Sequence, residues 1–275
     1  MKIAQIQSRV YNDKKKNAEQ LKLYLEKIKS ERPDLVMLGE MFNCPYETKQ
    51  FPLYAEEEGG ETWKMLSHLA KEYRIYLAAG SVPEIAEGKI YNTAYVFDRN
   101  GKQIAKHRKA HLFDIQVEGG QHFKESEILT AGDKCTVFST EFGKIGLCIC
   151  FDFRFPELAR MMVLRGAKMI LVPAAFNMTT GPAHWDVMFR GRAVDNQCFV
   201  AGTSSARDTG ASYVAWGHTL LVSPWGDVIE EMEGEEGYII HDVDLKEADS
   251  IRRQLPLLSA RRTDIYQSEN GAEFQ

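Results

Sequence analysis

Short apolar runs of strand length recur along this chain, alternating with segments whose apolar residues return every three or four positions. That alternation narrows the fold most, because a half-buried strand and a one-striped helix must each be covered by another layer. Lys2–Gln7 alternates as a strand does, and residues 14–30 place Ala18, Leu21, Leu25 and Ile28 on one helical face before Pro33. Leu35–Leu38 is a second apolar run. Residues 61–73 align Trp63, Leu66, Leu69, Ala70 and Tyr73 on another stripe, and Ile75–Val82 predicts a third strand. Residues 90–107 carry two strand-like runs around Asp98-Arg99-Asn100-Gly101, where Asn-Gly signals a hairpin. After a polar stretch, Cys135–Ser139 and Lys144–Ile149 predict a strand pair, Pro156–Arg165 a helix and Met169–Val172 a buried strand. Pro182–Gln197 predicts a helix with Trp185, Met188, Phe189 and Ala193 inward. Strands follow near 198–204, 213–222, 227–231 and 238–243, then a short helix and a polar tail from Gln267. Helix–strand alternation mixed with hairpins predicts an α/β (or α+β) layered sandwich with mixed sheets. No linker-like stretch or internal repeat interrupts it, so one domain is expected over 1–266, with 267–275 as the tail.

Composition excludes several classes of function. With 44% hydrophobic and 27% charged residues the 275-residue chain is neither disordered nor fibrous. A net charge of −5 gives no electrostatic case for nucleic acid or an anionic membrane as partner. The longest near-apolar run, Met169–Phe176, is too short to span a bilayer, and the N-terminus reads as a strand and not a signal peptide. Five cysteines without framework spacing indicate a reducing compartment, so a cytoplasmic enzyme is expected. The nucleophile elbow, phosphate loop, dinucleotide fingerprint and zinc-protease helix motifs are all missing. His107 and His111 stand four apart, but Lys106, Arg108 and Lys109 beside them would repel a divalent cation, so no metal site is expected.

Polar residues at the ends of apolar strands mark the chemistry. Glu40 closes Val36-Met37-Leu38-Gly39, Lys109 follows Gln103–Lys106, and Cys150 ends Ile145–Ile149. Layered α/β proteins build sites beyond the carboxyl ends of their strands, where these three could converge. Cys150 precedes a turn and a helix with Pro156 in its first turn, a setting that stabilises a thiolate. Cys148 lies inside the apolar run and reads as core. Each residue alone has an ordinary structural explanation; the constellation carries the case.

These segments resemble the three signatures of the nitrilase superfamily: Leu38-Gly39-Glu40-Met41-Phe42-Asn43, His107–Asp114 around Lys109, and Cys150–Glu157. The resemblance runs from Lys2 to about Tyr266 and is closest to the omega-amidase branch, through Phe176–Trp185 and the segments Ser205–Asp208 and Ala211–His218. It implies a four-layer αββα sandwich with two mixed sheets, paired into a homodimer or higher homo-oligomer, and a reaction needing no cofactor. It also implies Cys150 as nucleophile, Glu40 as general base, Lys109 as the cation at the oxyanion, and Glu125 as a second glutamate beside the lysine. Phe151 departs from the tyrosine expected there, and Cys148 from a smaller residue. The substrates implied are monoamides of small dicarboxylates, of the 2-oxoglutaramate or succinamate type, hydrolysed through a thioester. The far carboxylate needs a cation or several donors. Tyr46, Phe151, Arg154, Thr179, His184 and Arg207 are the candidates around the substrate, although ion pairing or helix capping explains several equally well. The alternatives are a deaminated-glutathione amidase, an N-carbamoyl amine hydrolase, or a non-catalytic metabolite-binding protein on the same fold.

Overall fold

The computed structural model describes residues 1–118 and 122–266, so the tail expected from Gln267 lies outside the described residues. The first half contains β1 (Lys2–Gln7), α1 (Lys14–Ile28), β2 (Leu35–Met37), α2 (Phe51–Tyr54), α3 (Glu61–Tyr73) and β3 (Tyr76–Ala78). Next come β4 (Val82–Ala86), β5 (Lys89–Phe97), β6 (Gln103–Arg108), and a small hairpin of β7 (Asp114–Gln116) and β8 (His122–Lys124). The second half contains β9 (Thr136–Thr140), β10 (Gly143–Leu147), α4 (Pro156–Leu164), β11 (Met169–Ala174), α5 (Gly181–Asn196) and β12 (Phe199–Ser204). It closes with β13 (Leu220–Val222), β14 (Val228–Glu231), β15 (Gly237–Asp242) and α6 (Lys246–Gln254).

Two mixed sheets result. The seven-stranded one runs β15-β1-β2-β3-β5-β4 with β6 also on β5, and the six-stranded one runs β14-β13-β12-β11-β10-β9. In each, three neighbouring strands are parallel, β1-β2-β3 and β10-β11-β12, and the remaining pairings are antiparallel.

The period of two along a strand sends alternate residues to two different cores. Ile3, Leu35, Met37, Ala78, Ala94 and Val96 share one cluster with Ile145, Leu147, Val172 and Ala201 of the other sheet, and with Met162, Trp185 and Phe189 of α4 and α5. Ala4, Ile6, Val36, Leu77, Tyr95 and Phe97 pack instead on Leu21, Leu25, Ile28, Leu66 and Leu69 of α1 and α3. Both faces of β2 and β11 are therefore apolar, which is why their sequences read as runs and not as alternation. The order is helices, sheet, sheet, helices: the αββα sandwich. Gln5 stitches the two sheets, donating to Gly202 O at 2.9 Å and Thr203 Oγ1 at 3.0 Å.

Helix starts follow ordinary capping chemistry. Asp13 caps α1 by accepting from the Lys15 and Lys16 N–H groups, and Pro156 and Pro182 sit at the openings of α4 and α5. Two expectations need correction. Ile75–Val82 is not one strand, because Gly80 (φ +60°) turns the chain between β3 and β4. The strand expected over 213–222 shrinks to Leu220–Val222, since Gly217 (φ 77°) and His218 (φ 60°) are successive left-handed residues that no ladder accommodates. The polar stretch after Lys109 forms the β7–β8 hairpin. Cys148 is fully buried in the central core, as its place in the apolar run implied.

Candidate active site

The parallel strands of both sheets end near one another, and their ends carry the site. Beyond β2, Gly39 lies against the end of β12: a Cβ there would stand 2.9 Å from both Ser204 C and Ser205 N. Only glycine lets the two sheets approach so closely, and the next residue, Glu40, is delivered into the gap with 1% exposure. Lys109 follows β6, its N–H bonded to Asn92 O at 2.8 Å, and is fully buried. Cys150 opens a 3-10 turn over Cys150–Arg154 just past β10, with φ of 45°. Glu125 opens a second short turn after β8.

Lys109 Nζ is the hub. It donates to Glu40 Oε1 at 2.8 Å, Glu125 Oε1 at 3.0 Å and the Tyr46 hydroxyl at 3.1 Å. Tyr46 donates to Glu125 Oε1 at 2.6 Å and stands 3.1 Å from Glu40 Oε1. Asn92 Nδ2 donates to that same Glu40 oxygen at 2.8 Å, and the Phe113 N–H to Glu125 Oε2 at 2.6 Å. One atom stands out. Glu40 Oε2 is buried and takes no hydrogen bond from any nitrogen or oxygen group among the described residues. The Cys150 thiol lies near enough to this carboxylate for each group to shift the other's protonation.

Electrostatics then sets protonation. Burial works against a charged Lys109, but the carboxylates of Glu125 and Glu40 outweigh it and hold the ammonium firmly charged. Burial lifts the Glu40 carboxyl above its ordinary range, with Lys109 opposing and Glu125 assisting. The Cys150 thiol is pushed far up, first by burial and then by Glu40, against the pull of Lys109 and of the Ala175 N–H. Burial and Glu40 thus outweigh the stabilisation of a thiolate expected from the helix start. A thiolate beside two carboxylates would leave one ammonium facing three buried anions, so the resting site holds a neutral thiol.

The other predicted residues divide. Tyr46 belongs to the hub. The Phe151 ring packs 5.2 Å from Phe113 and 5.6 Å from Phe155. Arg154 lies over the Phe176 ring at 4.6 Å and shares a 3.0 Å hydrogen bond with His184 Nδ1. No carboxylate pairs with Arg154 among the described residues, and it is close enough to Cys150 to be influenced by its charge. Thr179 is exposed, and α5 starts without a side-chain cap; Asn177 Oδ1 instead accepts from the Thr179 and Thr180 N–H groups at 3.0 and 2.8 Å, holding the turn that precedes the helix. Arg207 is turned to the Trp216 carbonyl at 2.7 Å and stacks on its ring, bracing a loop outside the hub.

Sequence reasoning missed Asn92, Tyr213, Asp152 and the Ala175 N–H. Asn92 left a signal, a buried polar residue in the apolar strand β5. Tyr213 left none, since only the loop that replaces the expected strand brings its ring to 4.6 Å from Tyr46. A cavity of about 320 Å³ between Val10–Asn12, Cys44–Glu47 and Ser205–Tyr213 reaches this network at Glu40 and Tyr46.

The carbon–nitrogen hydrolase family profile matches residues 2–253. Omega-amidase NIT2 of Bos taurus is 46% identical over 268 residues, covering 98% of this chain and 97% of the relative. Omega-amidase NIT2 of Xenopus tropicalis is 52% identical over 235 residues, covering 86% and 85%. The crystal structure of Nit3 from Saccharomyces cerevisiae, a member of branch 10 of the nitrilase superfamily, superposes with TM-score 0.87 at 39% identity, covering 95% of this chain and 96% of that one. Matching sequence over nearly its whole length and sharing the sandwich, the chain belongs to the carbon–nitrogen hydrolases.

Proposed function

We propose that this chain is a cysteine amidase that releases ammonia from the terminal amide of small dicarboxylate monoamides, 2-oxoglutaramate and succinamate being the type. The observation that carries the reading is the unpaired Glu40 Oε2 beside a buried neutral thiol, with Lys109 bonded to the other oxygen of the same carboxylate. A thiol held protonated needs a base at the moment of attack, and a carboxyl lifted above its ordinary range is a better one.

Glu40 takes the thiol proton as Cys150 Sγ attacks the amide carbonyl. The oxyanion forms at the Phe151 N–H, one of the donors that a helical start leaves unpaired, and beside the positive charge of Lys109, whose three N–H groups stay on Glu40, Glu125 and Tyr46. Such donors are each worth roughly 3–4 kcal/mol in a comparable site. Glu40 returns the proton to the nitrogen, ammonia departs, and a thioester to Cys150 remains. Water then gives a proton to Glu40 and attacks the thioester carbonyl, releasing the acid and restoring the thiol. Glu125 and Tyr46 hold Lys109 in place throughout.

Arg154 supports the preference for a second carboxylate. It is a half-buried cation on aromatic rings, without an acidic partner among the described residues, at the far end of the short turn that the nucleophile opens. The family relatives named omega-amidases point to the same substrates. One catalytic domain over 1–266 is the unit we assign, in a reducing compartment that suits its five free cysteines. No helix among the described residues is long and apolar enough to cross a membrane. Self-association is supported by the outer face of α5, where Val187 and Val194 are 62% and 42% exposed beside Trp225 at 58%.

The test is ammonia release from 2-oxoglutaramate and succinamate by wild type and Cys150→Ala. Release abolished in the variant supports both reaction and nucleophile. Activity retained in Cys150→Ala removes the nucleophile, and silence from wild type rejects these substrates in favour of carbamoyl amines or glutathione-like amides.

A further inference from the structure

Asp152 is a fully buried carboxylate for which the steps above have no use. Its Oδ1 accepts from the Ala110 N–H at 3.0 Å, the His111 N–H at 2.8 Å and His111 Nδ1 at 2.8 Å. Its Oδ2 accepts from the Ile149 N–H at 3.0 Å and His107 Nε2 at 2.9 Å. A carboxylate has only lone pairs to offer, so both imidazoles turn N–H groups toward it. Burial opposes the charge, but the hydrogen bonds from His107 and His111 outweigh it and hold the carboxyl well below its ordinary range.

The donors come from two places that chemistry must keep together. His107, Ala110 and His111 bracket Lys109 at the end of β6 in one sheet, whereas Ile149 precedes Cys150 at the end of β10 in the other. Asp152 N–H in turn donates to Ile149 O at 3.0 Å, closing the elbow on which Cys150 adopts its left-handed φ of 45°. A non-glycine residue stays in that region only where its surroundings over-determine it. Two side contacts stiffen the arrangement: His107 Nδ1 lies 2.9 Å from Thr136 Oγ1 of β9, and the His111 ring stacks on Phe155 at 3.7 Å.

We propose that Asp152 is a positioning residue for the hydrolysis, its carboxylate locking the strand end that carries Lys109 to the elbow that carries Cys150. The ammonium and the sulfur, which lie on different sheets, thereby keep one spacing through attack, thioester and hydrolysis. This rests on the amidase reading for its turnover test but not for its test on the free thiol.

Asp152→Asn preserves size and replaces one acceptor oxygen by an N–H donor, setting like against like on one side of the lock. The expected result is kcat per alkylatable Cys150 lowered about 100-fold, the scale of a misplacement near 1 Å, with KM little changed. The pH midpoint for alkylation of Cys150 by iodoacetamide should fall too, because an elbow that relaxes draws the sulfur away from Glu40. A folded Asp152→Asn with wild-type kcat per alkylatable site and an unchanged alkylation profile overturns the proposal. His107 supplies the independent arm: His107→Leu should lower kcat, and His107→Gln, which keeps a donor for Oδ2, should restore much of it. Equal kcat in those two variants also overturns it, including where Asp152→Asn does not fold. If wild type hydrolyses no amide, the amidase reading fails while the alkylation profile still decides the lock.

Discussion

Replacing Lys109 by methionine keeps most of the side-chain volume and removes one positive charge from between two buried carboxylates. The ammonium donates to Glu40 at 2.8 Å and to Glu125 at 3.0 Å. Hydrogen bonds to charged groups contribute about 1.5–3 kcal/mol each, so two amount to about 3–6 kcal/mol. Breaking a buried ion pair from one side costs about 3–5 kcal/mol, in agreement. Against a total stability of roughly 5–15 kcal/mol the variant should still fold, but weakly. The deficit must also depend on pH. With Lys109 gone, its charge no longer opposes the burial that already raises the Glu40 carboxyl, so the folded state binds a proton there more tightly than the unfolded chain, whose ordinary value is 4.5. A carboxyl raised on folding contributes stability below that value and loses it as pH rises toward the folded value, by up to about 1.4 kcal/mol per pH unit. Lys109→Met should therefore lose more stability, relative to wild type, at pH 8 than at pH 5. Urea unfolding at both pH values measures this directly. Glu125→Gln, destabilising in wild type, should become neutral or stabilising in the Lys109→Met background at pH 8. A deficit equal at both pH values, together with additive behaviour of the two substitutions, would refute the reasoning that these carboxylates are stranded anions.

Further expectations concern turnover and assembly. The acid limb of kcat/KM should fall as pH drops through the raised Glu40 carboxyl, since the base is then protonated; Glu40→Gln should abolish that limb and lower the rate about 10²–10⁴-fold. Arg154→Met should raise KM for succinamate by roughly 10–150-fold, the equivalent of one charged hydrogen bond, and leave the uncharged butyramide nearly unaffected. A matching rise for both amides would show that Arg154 does not read the carboxylate. If the exposed face of α5 is where copies meet, Val194→Asp should lower the mass measured by light scattering to that of one chain without changing its thermal midpoint. An unchanged mass would remove that face from the interface.

Much of this was legible before any coordinates. The strands Lys2–Gln7 and 90–107, the helices over 14–30 and 61–73, and a layered sandwich with mixed sheets all follow from periodicity, because burial on one face leaves a repeat of two or of about 3.6 in the residue types, whereas the four-layer order came through family likeness. Glu40, Lys109 and Cys150 were legible because a charged or nucleophilic residue at the end of an apolar run breaks that pattern visibly. Glu125 came only through family likeness, since it sits in a polar stretch where another glutamate carries no signal. Arg207 and Thr179 became substrate candidates through being polar near the right segments, and the fold sets Arg207 against the Trp216 carbonyl and Thr179 in the turn held by Asn177.

Sequence alone determined the strands, the helices and which residues were candidates for the site, because local periodicity and residue chemistry are properties of neighbours along the chain. Only the tertiary structure decided how those groups stand. Whether Cys150 rests as thiol or thiolate depends on burial and on Glu40, 110 positions away in the chain. The role of Asp152 depends on donors from both sheets meeting at one carboxylate. Charge energies fall with distance through space and rise as water is excluded, and neither quantity is written in the order of residues.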